Sequence, residues 1–271
     1  MGARTGSITL IYTKGVLDMG GTISFAKIFI LFFVFLFILS CGGGGDDAPP
    51  PVIALKTSTI RSASAGDSWN YTVTARLSNG TTTYNLTGTA SEQILSTTVF
   101  DPVTATNCLD QYGSLTLSGS GQTLTDSYHD YGLQDSNGSI QIYGEDEDGG
   151  NIWINTAPGY YVQIVSPVAL GQSGGKTFTY TDGSSQTYAY TVQGSTVVVS
   201  TPLGRYEAYR ISIDRTRNYA DGRRLISHAE ADFVPGLGTV IETATGSVYQ
   251  GAIFQYSLDV TRTLSSTNIS Y

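Results

Sequence analysis

Residues 69–90 read WNYTVTARLSNGTTTYNLTGTA, and their alternation of apolar and polar side chains is typical of a β-hairpin. Asn79-Gly80, in the middle, is the strongest signal for a two-residue turn. A two-residue loop there sets Val73 opposite Leu86, so the apolar side chains of both strands share one face. The stretch therefore predicts a hairpin that is buried on one side. Its apolar positions are Trp69, Tyr71, Val73, Ala75 and Leu77 before the turn, and Tyr84, Leu86 and Ala90 after it.

Further turn signals divide the rest of the chain into short segments, and no amphipathic helix is visible from about Gly66 onward. A three-residue loop at residues 221–223 sets Ile211 opposite Phe233. Residues 66–271 are therefore predicted to form a single all-β domain, an antiparallel meander that makes an open barrel or a strongly curved sheet. A two-sheet β-sandwich is the alternative. The turn dipeptides are Asn137-Gly138, Asp148-Gly149, Asp182-Gly183 and Asp221-Gly222.

Composition excludes several classes of protein. The chain has 271 residues, a formal net charge of -8 and only 13% charged residues, with 18 Tyr. A disordered acidic protein would carry more charge and fewer aromatic residues. A polytopic membrane protein would be far more apolar than a mean hydropathy of -0.02. The acidic balance, without a basic tract, predicts no nucleic-acid partner.

The N-terminal region has the features of an export signal. Ile28 to Leu39 is an unbroken run of 12 apolar residues, too short to span a bilayer but the length of a signal-peptide core. Ser40 and Cys41 follow, and the stretch resembles the lipobox of bacterial lipoproteins. The resemblance implies that residues 1–40 are a signal peptide, with Met19 as the true start, and that Cys41 is lipidated. An ordinary signal peptide with a chance cysteine is the alternative.

Residues 41–65 are predicted to be a lipidated cysteine followed by a flexible tether, because residues 42–51 consist mostly of Gly and Pro. Gly42 after Cys41 implies, by the same resemblance, sorting to the outer membrane. The expected location is the cell envelope, with the membrane as partner through the lipid. The two cysteines are Cys41 and Cys108. Lipidation of the first leaves no disulfide within the chain, and Cys108 is expected to be a small apolar residue, buried or half-buried.

Two motifs suggest chemistry but fit it poorly. Residues 171–175 match G-x-S-x-G, yet the following residues alternate like a strand, whereas a hydrolase nucleophile needs a helix there. We interpret them as a glycine-rich loop. The acidic run at residues 145–150 could attract Ca²⁺ but lacks the spacing of a calcium-binding loop. We interpret it as a solvated hairpin tip. No catalytic residue is predicted.

The histidines offer no clear metal site. His129 and His228 could bind zinc together with Asp126 or Asp130, but nothing in the spacing brings them together. We predict no metal ligand and no cofactor.

Two arginines are the candidate ligand-binding residues. If Ile211 and Ile213 face the core, Arg215 and Arg217 lie on the same side of their strand. They could form a cationic rim at a cavity mouth and hold an anionic head group. The alternative is that the strand has passed the edge of the core, where these arginines meet water or neighbouring carboxylates. Asp214 and Glu230 are those carboxylates.

The stretches Thr201–Ile211 and Phe233–Val240 resemble a broad set of bacterial lipoproteins and periplasmic proteins distantly like the LolA/LolB type. That resemblance implies a curved antiparallel sheet forming an open half-barrel over an apolar cavity, with no catalytic residue. Pro235-Gly236 supports it independently, because these residues break or bend a strand. The LolA type closes its cavity with helices, and none is predicted here.

Three functions are compatible with these features. The first is binding of a hydrophobic or amphiphilic ligand, a lipid or an apolar small molecule, at the cell envelope without catalysis. The second is a structural or interaction module displayed at the outer membrane. The third is an enzyme, which the residues support least, because they show no acid–base or nucleophile arrangement. An apolar cavity inside the sheet favours the first function, and a filled core with an exposed aromatic patch favours the second.

Overall fold

The computed structural model describes residues 49–147 and 150–271, and all helices and strands assigned within these residues are β-strands, with no helix among them. The described part has no helix long and apolar enough to cross a membrane. Cys41 and the predicted Asp148-Gly149 turn lie outside the described residues. The strands are β1 (Val52–Ile53), β2 (Ser68–Ser78), β3 (Thr83–Asp101), β4 (Thr106–Gly119), β5 (Gln122–Gln134), β6 (Ile140–Glu147), β7 (Gly150–Trp153), β8 (Tyr161–Ile164), β9 (Ser173–Thr179), β10 (Ser185–Thr201), β11 (Gly204–Asn218), β12 (Arg223–Val234), β13 (Gly238–Gln250) and β14 (Ile253–Thr267).

The strands form one continuous ladder whose order follows the chain. Neighbours run from β7 back to β2, then β14 pairs with β2, and the order continues from β14 down to β9. β1 pairs in parallel with β11, and all other pairs are antiparallel. The prediction of a strongly curved antiparallel meander is therefore confirmed, and the two-sheet sandwich is wrong.

The two edges of the ladder approach each other without closing it. Ile154, just after β7, forms an isolated antiparallel bridge with Tyr180, just after β9. The Thr181 N–H donates to the Trp153 carbonyl oxygen at 2.9 Å on one side of this bridge. The sheet therefore curves round almost completely and encloses an interior.

The first hairpin has the predicted buried face but a register shifted by two residues. Ser68 pairs with Gln93, and the same register carried along the hairpin sets Ala75, not Val73, opposite Leu86. A shift of two residues leaves each side chain on its original face. Val73 and Leu86 are accordingly both buried, at 2% and 3% exposure.

The cause of the shift is the turn, which closes one residue later than the dipeptide suggests. The Asn79 N–H donates to the Thr82 carbonyl oxygen at 3.2 Å, so the loop residues are Gly80 and Thr81. The Asn79 side-chain oxygen accepts hydrogen bonds from the N–H groups of Thr81 and Thr82. Gly80 has φ +87°, the left-handed conformation expected of a hairpin glycine.

The register of the β11–β12 hairpin also differs from its prediction by two residues, in the opposite direction. Ile211 pairs with Ala231 rather than Phe233. The Tyr219 N–H donates to the Arg223 carbonyl oxygen at 2.8 Å, so the three loop residues are 220–222 instead of 221–223. The face of each residue is again unchanged.

The final part of the predicted tether lies against the sheet. β1 runs beside the start of β11, with Val52 paired to Arg205. Ile60, which the sequence assigns to the tether, is buried at 6% exposure and packs in the core with residues of β6 and β8. Residues 52–65 thus contribute both a short strand and core contacts.

Candidate functional site

A cavity of about 260 Å³ lies inside the curved sheet. It is larger than the cavity of about 150 Å³ that is enough to bind benzene in an engineered protein. Its walls combine apolar side chains with a small number of charged ones, which is the usual composition of a ligand pocket. The apolar wall includes Ile94, Leu109, Ile142, Ile164, Ile211 and Phe233.

Residues 58–63, which we call the strap, cross one end of this interior. The Arg61 N–H donates to the carbonyl oxygen of Pro235, in the β12–β13 turn, at 2.8 Å. The Ala63 N–H donates to the Gln134 side-chain oxygen, at the end of β5, at 2.6 Å. β5 and β12 stand six places apart in the order of twelve strands, on opposite sides of the curved sheet. The strap therefore spans the mouth of the cavity, and Ile60, Arg61 and Ala63 line it.

The chain enters the sheet at the same end as this mouth. β1 pairs with the first residues of β11, beginning at Val52 and Arg205. Since β11 and β12 are antiparallel, the start of β11 lies beside the end of β12 and hence beside Pro235. Any anchor upstream of residue 49 is therefore attached to the end of the molecule that carries the strap.

A buried cluster around Arg262 supports the cavity wall. Arg262 makes ion pairs with Glu92 and with Glu242, the latter at 2.9 Å between Nη2 and Oε2. The Tyr128 hydroxyl donates to Glu92 Oε1 at 2.9 Å, and the Arg262 guanidinium carbon lies 4.5 Å from the ring centre of Tyr71. Burial raises the pKa of the Tyr71 and Tyr128 phenols well above the usual value for tyrosine, and the negative charge of Glu92 is the second cause. Both tyrosines therefore act as neutral hydrogen-bond donors.

Arg217 does not lie at a cavity mouth but in a buried ion pair with Glu145 of β6. The exposed fractions of the two side chains are 3% and 7%. The Arg217 guanidinium carbon also lies 4.6 Å and 4.8 Å from the ring centres of Tyr180 and Tyr219. The interpretation of Glu145 as part of a solvated hairpin tip is wrong, because an arginine from a distant strand meets it inside the sheet.

Arg215 lines the cavity and is 9% exposed. Its guanidinium carbon lies 5.1 Å from the ring centre of Tyr188. Within the described residues, its Nε atom has no hydrogen-bond partner. Its partner on β12 is Ser227, about 25 Å along the strand from the Pro235 turn at the usual rise per residue. Arg215 is therefore buried far from the strap end of the sheet and nearer to the β11–β12 turn.

Asp130 of β5 shares the cavity with Arg215. It is the cross-strand neighbour of Glu145, so both carboxyl groups lie on the inner face. Burial, and then the charge of Glu145, raise the pKa of Asp130 to about 7, although Arg215 acts in the opposite direction. This carboxyl group therefore gains and loses its proton near neutral pH.

The other candidate residues stay apart. His129 Nδ1 lies 2.7 Å from an Asp110 oxygen and His228 Nδ1 lies 2.8 Å from an Asp214 oxygen, so each histidine has its own carboxylate. Among residues 49–147 and 150–271, no three His, Cys, Asp or Glu side chains are placed to hold a metal ion. Cys108 is fully buried as predicted, and burial raises the pKa of its thiol to about 12.

The G-x-S-x-G stretch forms a loop followed by a strand. Ser173 is the first residue of β9, which continues to Thr179, so a strand stands where a hydrolase would have a helix. Lys176 in this strand donates from Nζ to the carbonyl oxygen of Tyr160 at 2.8 Å. The interpretation as a glycine-rich loop is right for residues 171–172 and wrong for residues 173–175, which belong to the strand.

Sequence reasoning considered Asp130 only as a zinc ligand and missed the Arg262 cluster, although the sequence contains a signal for the cluster. Alternate residues of a strand face the core. Glu92 lies between the inward-facing Ala90 and Ile94 of β3, and Arg262 lies between the inward-facing Val260 and Leu264 of β14. A charged side chain at an inward-facing position needs a group of opposite charge or a hydrogen-bond partner inside the sheet. Applied to the alternation of apolar residues, that rule selects Glu92 and Arg262.

Comparison with known proteins gives distant structural likenesses only. No family model and no curated protein matches the chain. A crystal structure of a protein predicted to be exported, with a YmcC-like fold, from Bacteroides fragilis NCTC 9343 has 11% identity and a TM-score of 0.35, covering 78% of this chain and 99% of that one. A predicted lipoprotein from Parabacteroides distasonis ATCC 8503 has 9% identity and a TM-score of 0.30, covering 78% and 98%. These likenesses are too distant to carry an argument, and the resemblance to the LolA/LolB type stays a prediction.

Proposed function

We propose that this chain is a cell-envelope lipoprotein, anchored through Cys41 in the outer membrane, that binds a hydrophobic or amphiphilic ligand without catalysing a reaction. The observation that carries the proposal is the cavity of about 260 Å³, which has apolar walls and a strap across its mouth. A filled interior would have favoured the interaction module instead.

The position of the mouth supports uptake of ligand from a membrane. Val52, the first residue of β1, lies eleven positions after Cys41, and covalent geometry limits the reach of this segment to about 38 Å. A lipid on Cys41 would therefore hold the strap end of the sheet close to the bilayer. A ligand leaving the bilayer would meet the mouth rather than the opposite end.

The energetics also favour an apolar ligand. Each CH₂ group moved from water into an apolar site contributes about 0.8 kcal/mol. A chain of six enclosed CH₂ groups therefore gains about 5 kcal/mol, before any contact with its polar end. Arg215 supplies that contact, because a buried guanidinium whose Nε has no hydrogen-bond partner in the described residues favours an anionic group. Arg217, whose carboxylate partner is Glu145, is not free for the role that the sequence suggested.

Ligand binding is tested with the full chain, purified from membranes in a nonionic detergent and analysed by mass spectrometry for bound lipid. A cavity-filling variant, Ala231→Phe, provides the comparison, because Ala231 lines the cavity. The matched control is Ile226→Phe on the same strand, which is 40% exposed. We expect bound lipid in the wild type and the control, and a large loss in Ala231→Phe. Equal lipid in all three proteins, or none in the wild type, would refute a ligand in this cavity.

Anchoring is tested by incorporation of radiolabelled fatty acid. Cys41→Ala should abolish the label and Cys108→Ala should keep it, since Cys108 is buried in the sheet. If Cys41→Ala still takes up label and fractionates with membranes, the anchor lies elsewhere.

A further inference from the structure

Arg215 is a buried arginine of the cavity wall that has no carboxylate within ion-pair distance among the described residues. Its side chain is more than nine-tenths buried, it lines the cavity, and its Nε has no hydrogen-bond partner within the described residues. The other two interior arginines have carboxylates, since Arg262 meets Glu92 and Glu242, and Arg217 meets Glu145. A buried charge without a partner is costly, and an anionic ligand would relieve that cost.

Asp130 provides a second polar group in the same cavity. Both Asp130 and Arg215 line the cavity, and no carboxylate oxygen in the described residues lies within ion-pair distance of the Arg215 guanidinium. A protonated carboxyl group donates a hydrogen bond, and an ionised one only accepts. A ligand oxygen anion could therefore accept from both groups at once.

We propose that the cavity binds an amphiphilic carboxylate whose head group lies between the Arg215 guanidinium and the Asp130 carboxyl group. This inference rests on the proposed function, and it names the class of ligand. The guanidinium matches a carboxylate in shape and charge. The apolar wall of the cavity receives the chain.

The binding is coupled to a proton, because the neutral form of Asp130 accommodates the anion and the ionised form repels it. Groups that face Asp130 set its proton affinity: Glu145 from β6, Glu92 from β3, Arg215 and Arg217 from β11, and Tyr161 from β8. The carboxylate of the ligand stays ionised above pH 6. Because the pKa of Asp130 is about 7, affinity should fall about tenfold between pH 6 and pH 8.

The experiment compares probes that share a chain and differ in head group: decanoate, decanol, decyl phosphate and decyltrimethylammonium. Each is titrated by calorimetry against the full chain in a nonionic detergent. The same titration is made with Arg215→Gln, so the partition of a probe into detergent cancels in the ratio between the two proteins. We expect decanoate to bind tightest, and Arg215→Gln to weaken it about tenfold or more while leaving decanol unchanged.

Asp130→Asn is the second variant, since asparagine has a similar shape, stays neutral and keeps an N–H donor. It should bind decanoate with an affinity that no longer depends on pH. This variant and the wild-type ranking of probes decide the proposal even if Arg215→Gln fails to fold.

The outcomes separate the two proposals. If decanol binds as tightly as decanoate in the wild type, or if Asp130→Asn keeps the pH dependence, the carboxylate site is wrong and the apolar pocket stands. Preference for decyl phosphate or decyltrimethylammonium also overturns the carboxylate. If no probe binds the wild type, the proposed function itself fails.

Discussion

The ion pair between Glu145 and Arg217 should be one of the largest single contributions of a side-chain pair to the stability of the fold. Glu145→Gln keeps the shape of the side chain and removes its charge, so Arg217 is left buried without its carboxylate. Both side chains are under a tenth exposed, which excludes most screening by water and salt. Breaking such a pair costs about 3–5 kcal/mol.

The structure places the expected cost at the lower end of that range. The rings of Tyr180 and Tyr219 remain against the guanidinium in the variant, at 4.6 Å and 4.8 Å, and cation–π contacts offset part of the loss. We therefore expect Glu145→Gln to lower the free energy of unfolding by about 3 kcal/mol. The double variant Glu145→Gln/Arg217→Met should recover much of this loss, because it also removes the buried cation that has lost its ion pair with Glu145.

Urea unfolding followed by tyrosine and tryptophan fluorescence measures these changes, with the midpoint and the slope compared between variants. Arg76→Gln is the matched control, because Arg76 pairs with Asp259 at 3.6 Å while the two side chains are 61% and 39% exposed. That control should cost less than about 1 kcal/mol. A similar small cost for Glu145→Gln and Arg76→Gln would refute the argument, as would a double variant that is no more stable than Glu145→Gln alone.

Three further changes test the turn, the packing and the strap. Gly80→Val should lower the free energy of unfolding by about 1–2 kcal/mol, because a β-branched residue resists φ +87°, and thermal unfolding measures it. Gly113→Ala should cost about 1–3 kcal/mol, because a Cβ there would lie 2.2 Å from the Tyr128 ring, whereas Gly194→Ala meets no atom within 4 Å and should cost much less. Gln134→Ala removes the strap's side-chain anchor, so trypsin should cleave at the arginine of the strap faster than in the wild type. An unchanged cleavage rate would mean that the other bonds of the strap, to the β12–β13 turn and to Ser166 and Val168, are enough to hold it.

The fold class is predictable from the sequence because alternation and turn residues are local signals. The hairpin at Asn79-Gly80 and the loop at Asp221-Gly222 are both predicted at the correct place along the chain, and their buried faces are correct. Their predicted registers are each wrong by two residues. A turn glycine marks where the chain reverses, but hydrogen bonds that are not visible in the sequence decide which residues close the loop. The error leaves the faces unchanged because side chains in a strand alternate with a period of two.

The interior charges cannot be assigned in the same way because their partners are distant in sequence. Arg217 and Glu145 are 72 residues apart, and Arg262 and Glu92 are 170 apart. The curvature of the whole sheet, rather than any local pattern, brings these pairs together. The acidic run that contains Glu145 therefore has the pattern of a solvated tip, although one of its members is a core residue.

Arg215 and Arg217 illustrate why position on a strand does not determine the role of a residue. They are two residues apart on β11, they share one face, and nothing in the sequence distinguishes them. Glu145 lies opposite Arg217 and neutralises it, whereas Arg215 faces the cavity with Asp130 nearby. The difference comes from β6, whose Glu145 pairs with Arg217, whereas no carboxylate oxygen of the described residues lies within ion-pair distance of Arg215. Glu145 therefore stabilises the fold through Arg217, and the ligand that we propose for Arg215 would share the cavity with Asp130, whose pKa is about 7.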